Sequence, residues 1–181
     1  MGFPTYDRYT NEELIRAYAA GPARLMDVVQ GIDEVGLRMR PRGPASWSIQ
    51  EIVMHLTDSE IQGAFRVRKA WAEPGAPWPV YDQDVWTPAL DHQRAGPEAR
   101  AVSVALFAAL RRATLPFFQR AEPADWRRAN GAHPVFGRVT LRDLLAMYAD
   151  HSERHIGHIL TIRTLLGIPL EYALLLPDRL F

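Results

Sequence analysis

The chain has 181 residues, 48% of them hydrophobic, and its 21 basic and 21 acidic side chains cancel at pH 7. This length suits one domain, which we expect to span residues 1–181. The balanced charge argues against a nucleic-acid partner. We recognise no apolar signal core and no apolar run of membrane-spanning length, so we expect a cytoplasmic protein without a membrane partner. Cysteine is absent, so nitrogen and oxygen atoms must hold any metal, and a reactive thiol must come from a cofactor.

Apolar residues at helical spacing predict four long helices. In chain order they cover residues 11–30, 48–71, 97–120 and 140–167. Asn11, Ser48 and Thr140 are suitable N-caps for the first, second and fourth helices, because their side-chain oxygens can accept from free backbone N–H groups. Gly21 and Pro22 interrupt the first helix at a position where proline can kink it.

An unusually long connection, residues 72–97, joins the second and third helices and is rich in proline, glycine and aromatic residues. Connections of this length are uncommon and often functional, so we expect an irregular segment that crosses the bundle and closes one end. Its Trp78, Tyr81 and Trp86 are candidates for a pocket mouth. Residues 123–138 are expected to form a loop, and no alternating strand is convincing. The predicted fold class is therefore all-α, a four-helix bundle.

Three histidines lie close together in the segment DHSERHIGHI of the fourth helix. At about 100° per residue, His151, His155 and His158 share one flank of that helix. An i, i+4 pair such as His151 and His155 can place two imidazoles on one metal ion. Two solvated or hydrogen-bonded histidines produce the same pattern, so the motif alone leaves both interpretations open.

One acid interrupts the apolar face of the second helix. Glu60 lies near the centre of that face, and a carboxylate there needs a cation, a metal or a strong donor to compensate for its desolvation. Two interpretations follow: a buried ion pair with an arginine from a neighbouring helix, or a role at a functional site. His55 lies on the flank of the same helix.

Other polar residues near these positions are weaker candidates. Asp58 and Asp150 project away from the apolar faces, which favours solvated positions. His92 and His133 fall in loops rich in proline and glycine, so we expect them at the surface.

The segments WSIQEIVMHLTDSE and DHSERHIGHILTIR resemble the two signature segments of the DinB/YfiT-like superfamily. The resemblance implies a four-helix bundle with an up-down-down-up course. It also implies that His55, His151 and His155 hold a zinc, nickel or similar ion with a coordination position left open. His158 stands where the family commonly has glutamine, so a pairing of His155 with His158, instead of His151, stays open. His151 and His158 lie about 10 Å apart along the helix, too far to share one ion.

The resemblance points to small-molecule chemistry, since the family includes thiol-dependent S-transferases and proteins described as metal-dependent hydrolases. Our first hypothesis is an enzyme whose metal activates a low-molecular-weight thiol or water for attack on an electrophile, with Glu60 or His158 moving a proton. The alternative is a non-catalytic metal-binding or dimeric stress-related interaction protein. In a third interpretation the histidines are polar core residues that bind no metal.

The C-terminal segment, residues 172–181, is apolar. We expect it to dock on the body of the protein or on a second subunit, and a homodimer is a further expectation.

Overall fold

The computed structural model describes residues 7–42 and 46–176. Its helices are α1 (Asn11–Val29), α2 (Glu34–Arg38), α3 (Ile49–Ala72), α4 (Gln83–Ala89), α5 (Pro97–Gln119), α6 (Asp125–Arg128) and α7 (Leu141–Leu165). Strands β1 (Asn130–His133) and β2 (Gly137–Thr140) pair antiparallel. The four long helices, α1, α3, α5 and α7, are the four that the sequence predicted.

The course of the bundle follows from contacts between these helices. α1 and α7 run parallel, because Arg24 pairs with Glu153 and, further along both helices, Arg163 donates to the Val28 carbonyl. Two outer helices of the chain thus point the same way.

The two inner helices of the chain, α3 and α5, also run parallel to each other. The Thr57 hydroxyl donates to the Ser103 carbonyl, and further along both helices Arg68 donates to Thr114. Because α3 and α5 are parallel, the connection between them must return along the whole bundle.

The remaining relation is between α3 and α7, which run in opposite directions. His55 lies beside His151, whereas Arg66, later on α3, donates to Tyr148, earlier on α7. These directions confirm the up-down-down-up course.

Capping boxes begin α1, α3 and α7. Ser48 and Thr140 cap α3 and α7 as predicted. The cap of α1 is Thr10, whose hydroxyl accepts from the Glu13 N–H while the Glu13 carboxylate accepts from the Thr10 N–H. The prediction of Asn11 was wrong by one residue, because Thr10 offers both halves of this reciprocal arrangement.

α1 continues through Gly21 and Pro22, and a residue of another helix explains why. Pro22 has no N–H, so the carbonyl of Tyr18 lacks its usual donor within the helix. Arg111 of α5 donates to that carbonyl over 2.8 Å. At Gly21, a Cβ atom would lie 2.2 Å from Arg111 Nη1, so glycine makes room for the guanidinium.

The connection between α3 and α5 is more ordered than predicted. It contains α4 and a 3-10 turn at His92–Arg94, and it packs along α3, where Arg66 donates to the Pro79 carbonyl and Gln50 to the His92 carbonyl. His92 is 4% exposed, so the prediction of a surface position was wrong. Because these contacts join residues that are distant in the sequence, no pattern of neighbouring residues predicts them.

A β-hairpin occupies the predicted loop before α7. His133 of β1 pairs with Gly137 of β2, and Gly137 has a φ of 70°, which glycine adopts without strain. Trp78 packs on Gly131, where a Cβ atom would lie 2.0 Å from the indole. Each strand has four residues, too few for a recognisable alternation.

α5 combines an apolar sequence with an exposed outer face. Its most apolar window of 18 residues has a mean hydropathy of 1.4 and is 28% buried. By length and composition α5 could cross a membrane, which corrects our expectation that no apolar run is long enough. In the bundle, an ion pair between Arg111 and Glu60 joins α5 to α3, and Phe107 and Phe118 lie in the core.

The described part of the C-terminal segment docks on the body of the protein. The Tyr172 hydroxyl donates to Asp27, and the Leu175 N–H donates to Glu153. Leu176 is 2% exposed. Docking on the body is thus confirmed for residues 172–176, whereas the rest of the predicted segment, residues 177–181, lies outside the described residues.

Candidate metal centre

Three imidazoles converge between α3 and α7. His55 Nε2 lies 3.0 Å from His151 Nε2, and His155 Nε2 lies 3.2 Å from the same atom. One possible ligand atom of each histidine lies within 4.8 Å of the others. The structure therefore brings together the three histidines that the resemblance implied, one from α3 and an i, i+4 pair from α7.

Burial keeps these histidines in the neutral form. It lowers the pKa of His55 to about 4. Burial, followed by the neighbouring imidazoles, lowers the pKa of His151 and of His155 well below the usual 6.5. A neutral imidazole carries a lone pair on one ring nitrogen and is the form that binds a metal ion.

The arrangement fits a metal ion better than a hydrogen-bonded cluster. His151 Nε2 lies at hydrogen-bond distance from two other Nε2 atoms, but in a neutral imidazole this atom either donates or accepts and cannot serve both neighbours well. With metal–nitrogen bonds near 2.0–2.1 Å, nitrogens on one ion lie about 3.0 to 3.4 Å apart. The observed separations agree with this value.

The long connection supplies a residue that orients one of the three imidazoles. The Tyr81 hydroxyl lies 3.0 Å from His55 Nδ1. The tautomer with its proton on Nδ1 donates this bond and leaves Nε2 free to face the other histidines. Burial, followed by the charge of Asp58, raises the pKa of Tyr81, so the phenol stays protonated. The sequence had placed Tyr81 only at a pocket mouth.

A hydrogen-bonded contact between His92 and Asp58 fixes the connection beside this site. His92 Nε2 lies 2.6 Å from Asp58 Oδ2, and the Asp58 side chain is 15% exposed. The prediction that Asp58 is solvated was therefore wrong, because His92 covers it.

The two remaining weaker candidates, Asp150 and His133, make hydrogen bonds away from the histidines. Asp150 is 1% exposed and accepts from Arg154 over 2.6 Å, so its predicted solvated position was wrong as well. His133 is half-buried, and its Nδ1 accepts from the N–H groups of Val135 and Phe136 in the hairpin. Neither residue belongs to the group of three histidines.

A pocket of about 490 Å³ opens beside the histidines. Its volume is in the range of small-molecule sites. The lining residues come from four segments of the chain: Pro41, Ser46, Trp47, Ile52, Gln83, Asp84, His155, His158, Thr161 and Ile162. Since His155 belongs to both the histidine cluster and the lining, a molecule in the pocket lies next to the cluster.

His158 lies at the wall of this pocket and outside the cluster. It is exposed, and its ring centroid is 5.3 Å from that of His155. The structure groups His151, and not His158, with the other two histidines. Of the two pairings that the sequence left open, this geometry supports His151 with His155.

Glu60 lies in a different buried cluster. Arg111 Nε donates to its Oε2 over 2.9 Å, and the Tyr18 hydroxyl donates to its Oε1. Of the two interpretations drawn from the sequence, the structure supports the ion pair with an arginine from a neighbouring helix. Both carboxylate oxygens are engaged, so we assign Glu60 no proton transfer at the site.

A sequence model of the DinB superfamily matches residues 17–159. The chain belongs to the DinB superfamily. This match covers α1 from residue 17, all of α3 and α5, and α7 to residue 159. It includes all three clustered histidines, so the superfamily pattern covers the candidate centre as well as the bundle.

Several relatives of this DinB protein carry names that propose a metal-dependent hydrolase. YfiT of Bacillus subtilis is 25% identical over 146 residues, which is 81% of this chain and 80% of YfiT. A Bacillus mycoides protein is 24% identical over 90% of this chain and 93% of its own length. A protein of Oceanobacillus iheyensis is 24% identical over 64% of each chain, so for that relative the match spans less than two thirds of the protein.

The solved structure of Bacillus subtilis YfiT is similar in fold. It matches with a TM-score of 0.81 and 22% identity, over 92% of this chain and 94% of YfiT, and its description names an unusual four-helix bundle topology. At this identity the likeness shows the fold, which agrees with the up-down-down-up course of this DinB protein.

Sequence reasoning missed two residues that surround the histidines. Trp47 was not among the candidates, yet its ring centroid lies 4.7 Å from that of His55 and it lines the pocket. The contact of Tyr81 with His55 was also missed. The one available signal was the aromatic content of the connection, since the contact joins residues 26 positions apart.

Proposed function

We propose that this protein is a metal-dependent hydrolase that acts on a small molecule. The observation that carries the proposal is the convergence of the Nε2 atoms of His55, His151 and His155, separated by 3.0 and 3.2 Å from one to the next, beside an open pocket. Three neutral ligands leave the charge of an ion intact and leave a coordination position for water or substrate. The names of the relatives support hydrolysis as the reaction class.

We propose a different role for each group of residues at this site. His55, His151 and His155 would hold the ion, for which we propose zinc or nickel, and Tyr81 orients His55. The chemistry that a divalent ion would supply there is a pKa near 7 for a water molecule, or polarisation of a substrate carbonyl. For His158, which lines the pocket wall, we propose proton exchange with the substrate.

The first experiment measures the metal content of purified protein by mass spectrometry. We expect about one equivalent in the wild type and loss of metal in His55→Ala and His155→Ala, because each removes one of three ligands. His133→Ala is the matched control, since this histidine lies in the hairpin outside the cluster and its loss should leave the metal in place. The proposal is rejected if wild-type protein takes up neither zinc nor nickel when these ions are offered.

The second experiment separates hydrolysis from the other hypotheses. Metal-loaded protein and His155→Ala are compared on a panel of chromogenic esters and amides, and we expect turnover in the wild type alone. Turnover that requires an added low-molecular-weight thiol would favour the S-transferase chemistry instead. A loaded protein that turns over no substrate with water or thiol would favour a non-catalytic metal-binding role.

We also propose a homodimer formed through the outer face of α5. Val102 and Leu106 on this face are 62% and 41% exposed, and exposed apolar patches often mark interfaces. Analytical ultracentrifugation should find a dimer for the wild type and a monomer for Leu106→Glu. Val35→Glu, an equivalent change at an exposed position of α2, is the control. A monomeric wild type would contradict the proposal.

A further inference from the structure

The pocket beside the histidines has a flat apolar wall. The ring of Trp47 is nearly parallel to that of His155, with an interplanar angle of 4° and centroids 6.1 Å apart. The same indole meets His55 edge to face at 4.7 Å. Because Trp47 also lines the pocket, a planar group could pack on the indole while its reactive end reaches the histidines.

The described wall of the pocket also carries a carboxylate but no lysine or arginine. Asp84, in the first turn of α4, is the only Asp, Glu, Lys or Arg among the described lining residues. It is exposed, so it lies at the rim. The other polar side chains among the described lining residues are two hydroxyls, an amide, an indole and two imidazoles. A substrate anion therefore finds no lysine or arginine among the described residues of this wall, whereas a substrate cation finds a carboxylate.

We infer that the pocket takes a substrate whose planar apolar group packs on Trp47 and whose outer end is an amine, recognised by Asp84, and not a carboxylate or phosphate. The inference rests on the proposed function, because the reactive end of such a substrate needs an ion at the histidines. It adds the substrate class, which the histidines alone do not define.

Four hydroxamates test this inference, since all bind a metal ion through the same head group and differ only in the rest of the molecule. They are acetohydroxamate, benzohydroxamate, 4-(aminomethyl)benzohydroxamate and 4-carboxybenzohydroxamate. Binding to zinc-loaded protein is measured by titration calorimetry. We expect benzohydroxamate to bind at least about tenfold more tightly than acetohydroxamate, because it buries an aromatic ring. The aminomethyl compound should bind roughly tenfold more tightly than the carboxy compound, a few-fold for each exposed charge.

Three variants assign these preferences to residues. Trp47→Leu should reduce the preference for the aromatic ring, and Asp84→Asn should remove the preference for the ammonium group. Glu98→Gln is the control for Asp84→Asn, because Glu98 is also an exposed acid in the first turn of a helix but is not a lining residue. Zinc content and acetohydroxamate affinity are measured for each variant, so that loss of the ion is detected separately.

The outcomes distinguish the inference from the function on which it rests. If acetohydroxamate does not bind zinc-loaded wild type, the metal has no open coordination position, and both proposals are overturned. If it binds but the aromatic compounds bind no more tightly, the role of Trp47 is overturned while the metal site stands. Equal affinities for the ammonium and carboxylate compounds, or a preference unchanged in Asp84→Asn, would overturn the assigned substrate charge.

Discussion

Two buried polar clusters lie between the long helices, and they differ in how their polar groups are satisfied. In the first, Arg111 donates to the Glu60 carboxylate, to the carbonyls of Tyr18 and Tyr148 and to the Ser152 hydroxyl, over 2.6 to 3.1 Å. The guanidinium and the carboxylate have opposite charges, and each is engaged on several sides. This cluster is complete without a ligand.

The second cluster is the group of three histidines, which contains no opposite charges. Its imidazoles are neutral, and their Nε2 atoms face one another. His155 Nδ1 is buried without a hydrogen-bond partner among the described residues. In neutral imidazoles the three facing Nε2 atoms cannot all be satisfied by one another, and unsatisfied buried polar groups cost free energy, so this cluster gains from an ion in a way that the first cannot. The difference separates a site that holds the bundle together from one prepared for a ligand.

The largest effect is expected at the complete cluster. Arg111→Met leaves the Glu60 carboxylate buried without its cation and should lower the free energy of unfolding by about 3–5 kcal/mol. Urea denaturation measures this change. Arg112→Met is the matched control, because Arg112 is the adjacent arginine of α5 and is exposed. Equal stabilities of the two variants would contradict the assigned role of the ion pair.

Acid should act on the histidine cluster of the metal-free protein. In the unfolded chain His55 gains a proton near pH 6.5, whereas in the fold its pKa is about 4. As the pH falls from 6.5 toward 4, the unfolded state therefore binds more protons, and the free energy of unfolding decreases by roughly 3 kcal/mol through this residue. Below the folded-state pKa of His55 this decrease is complete.

The measurement compares urea denaturation of metal-free wild type and His55→Gln at several pH values. The stability of the wild type relative to the variant should fall across this pH window, since the variant lacks the titrating group. A difference that stays constant from pH 7 to pH 4 would contradict the depressed pKa of His55.

Removal of the metal should affect the histidine cluster but not the cluster of Glu60 and Arg111. An ion at a free concentration of a hundred times its Kd stabilises the fold by about 2.7 kcal/mol. Chelation should therefore lower the Tm of the wild type but leave that of His155→Ala unchanged. Chelator should still lower the Tm of Glu60→Gln, because Glu60 belongs to the other cluster. Equal Tm values of wild type with and without chelator would favour the interpretation as polar core residues.

The sequence predicted features that depend on local periodicity. The spacing of apolar residues located the four long helices, and the two histidine segments supplied the three converging imidazoles. Contacts between distant segments left no such pattern. The partner of Glu60 could be predicted only as some arginine, because 51 residues separate it from Arg111. His92 was placed at the surface for the same reason, since its partner Asp58 lies on α3.

The smallest effect concerns the residue that links the connection to the histidine cluster. Tyr81→Phe removes the hydroxyl that lies 3.0 Å from His55 Nδ1 but keeps the ring. Loss of such an orienting hydrogen bond typically weakens metal affinity 10- to 100-fold, and we expect about tenfold here, because α3 and the packing of Trp47 still position His55. Competition with a chromophoric zinc chelator measures the affinity. Tyr172→Phe is the control, since its hydroxyl bonds Asp27 on another face. Equal zinc affinities of Tyr81→Phe and the wild type would mean that α3 alone orients His55 and that the connection contributes only pocket wall.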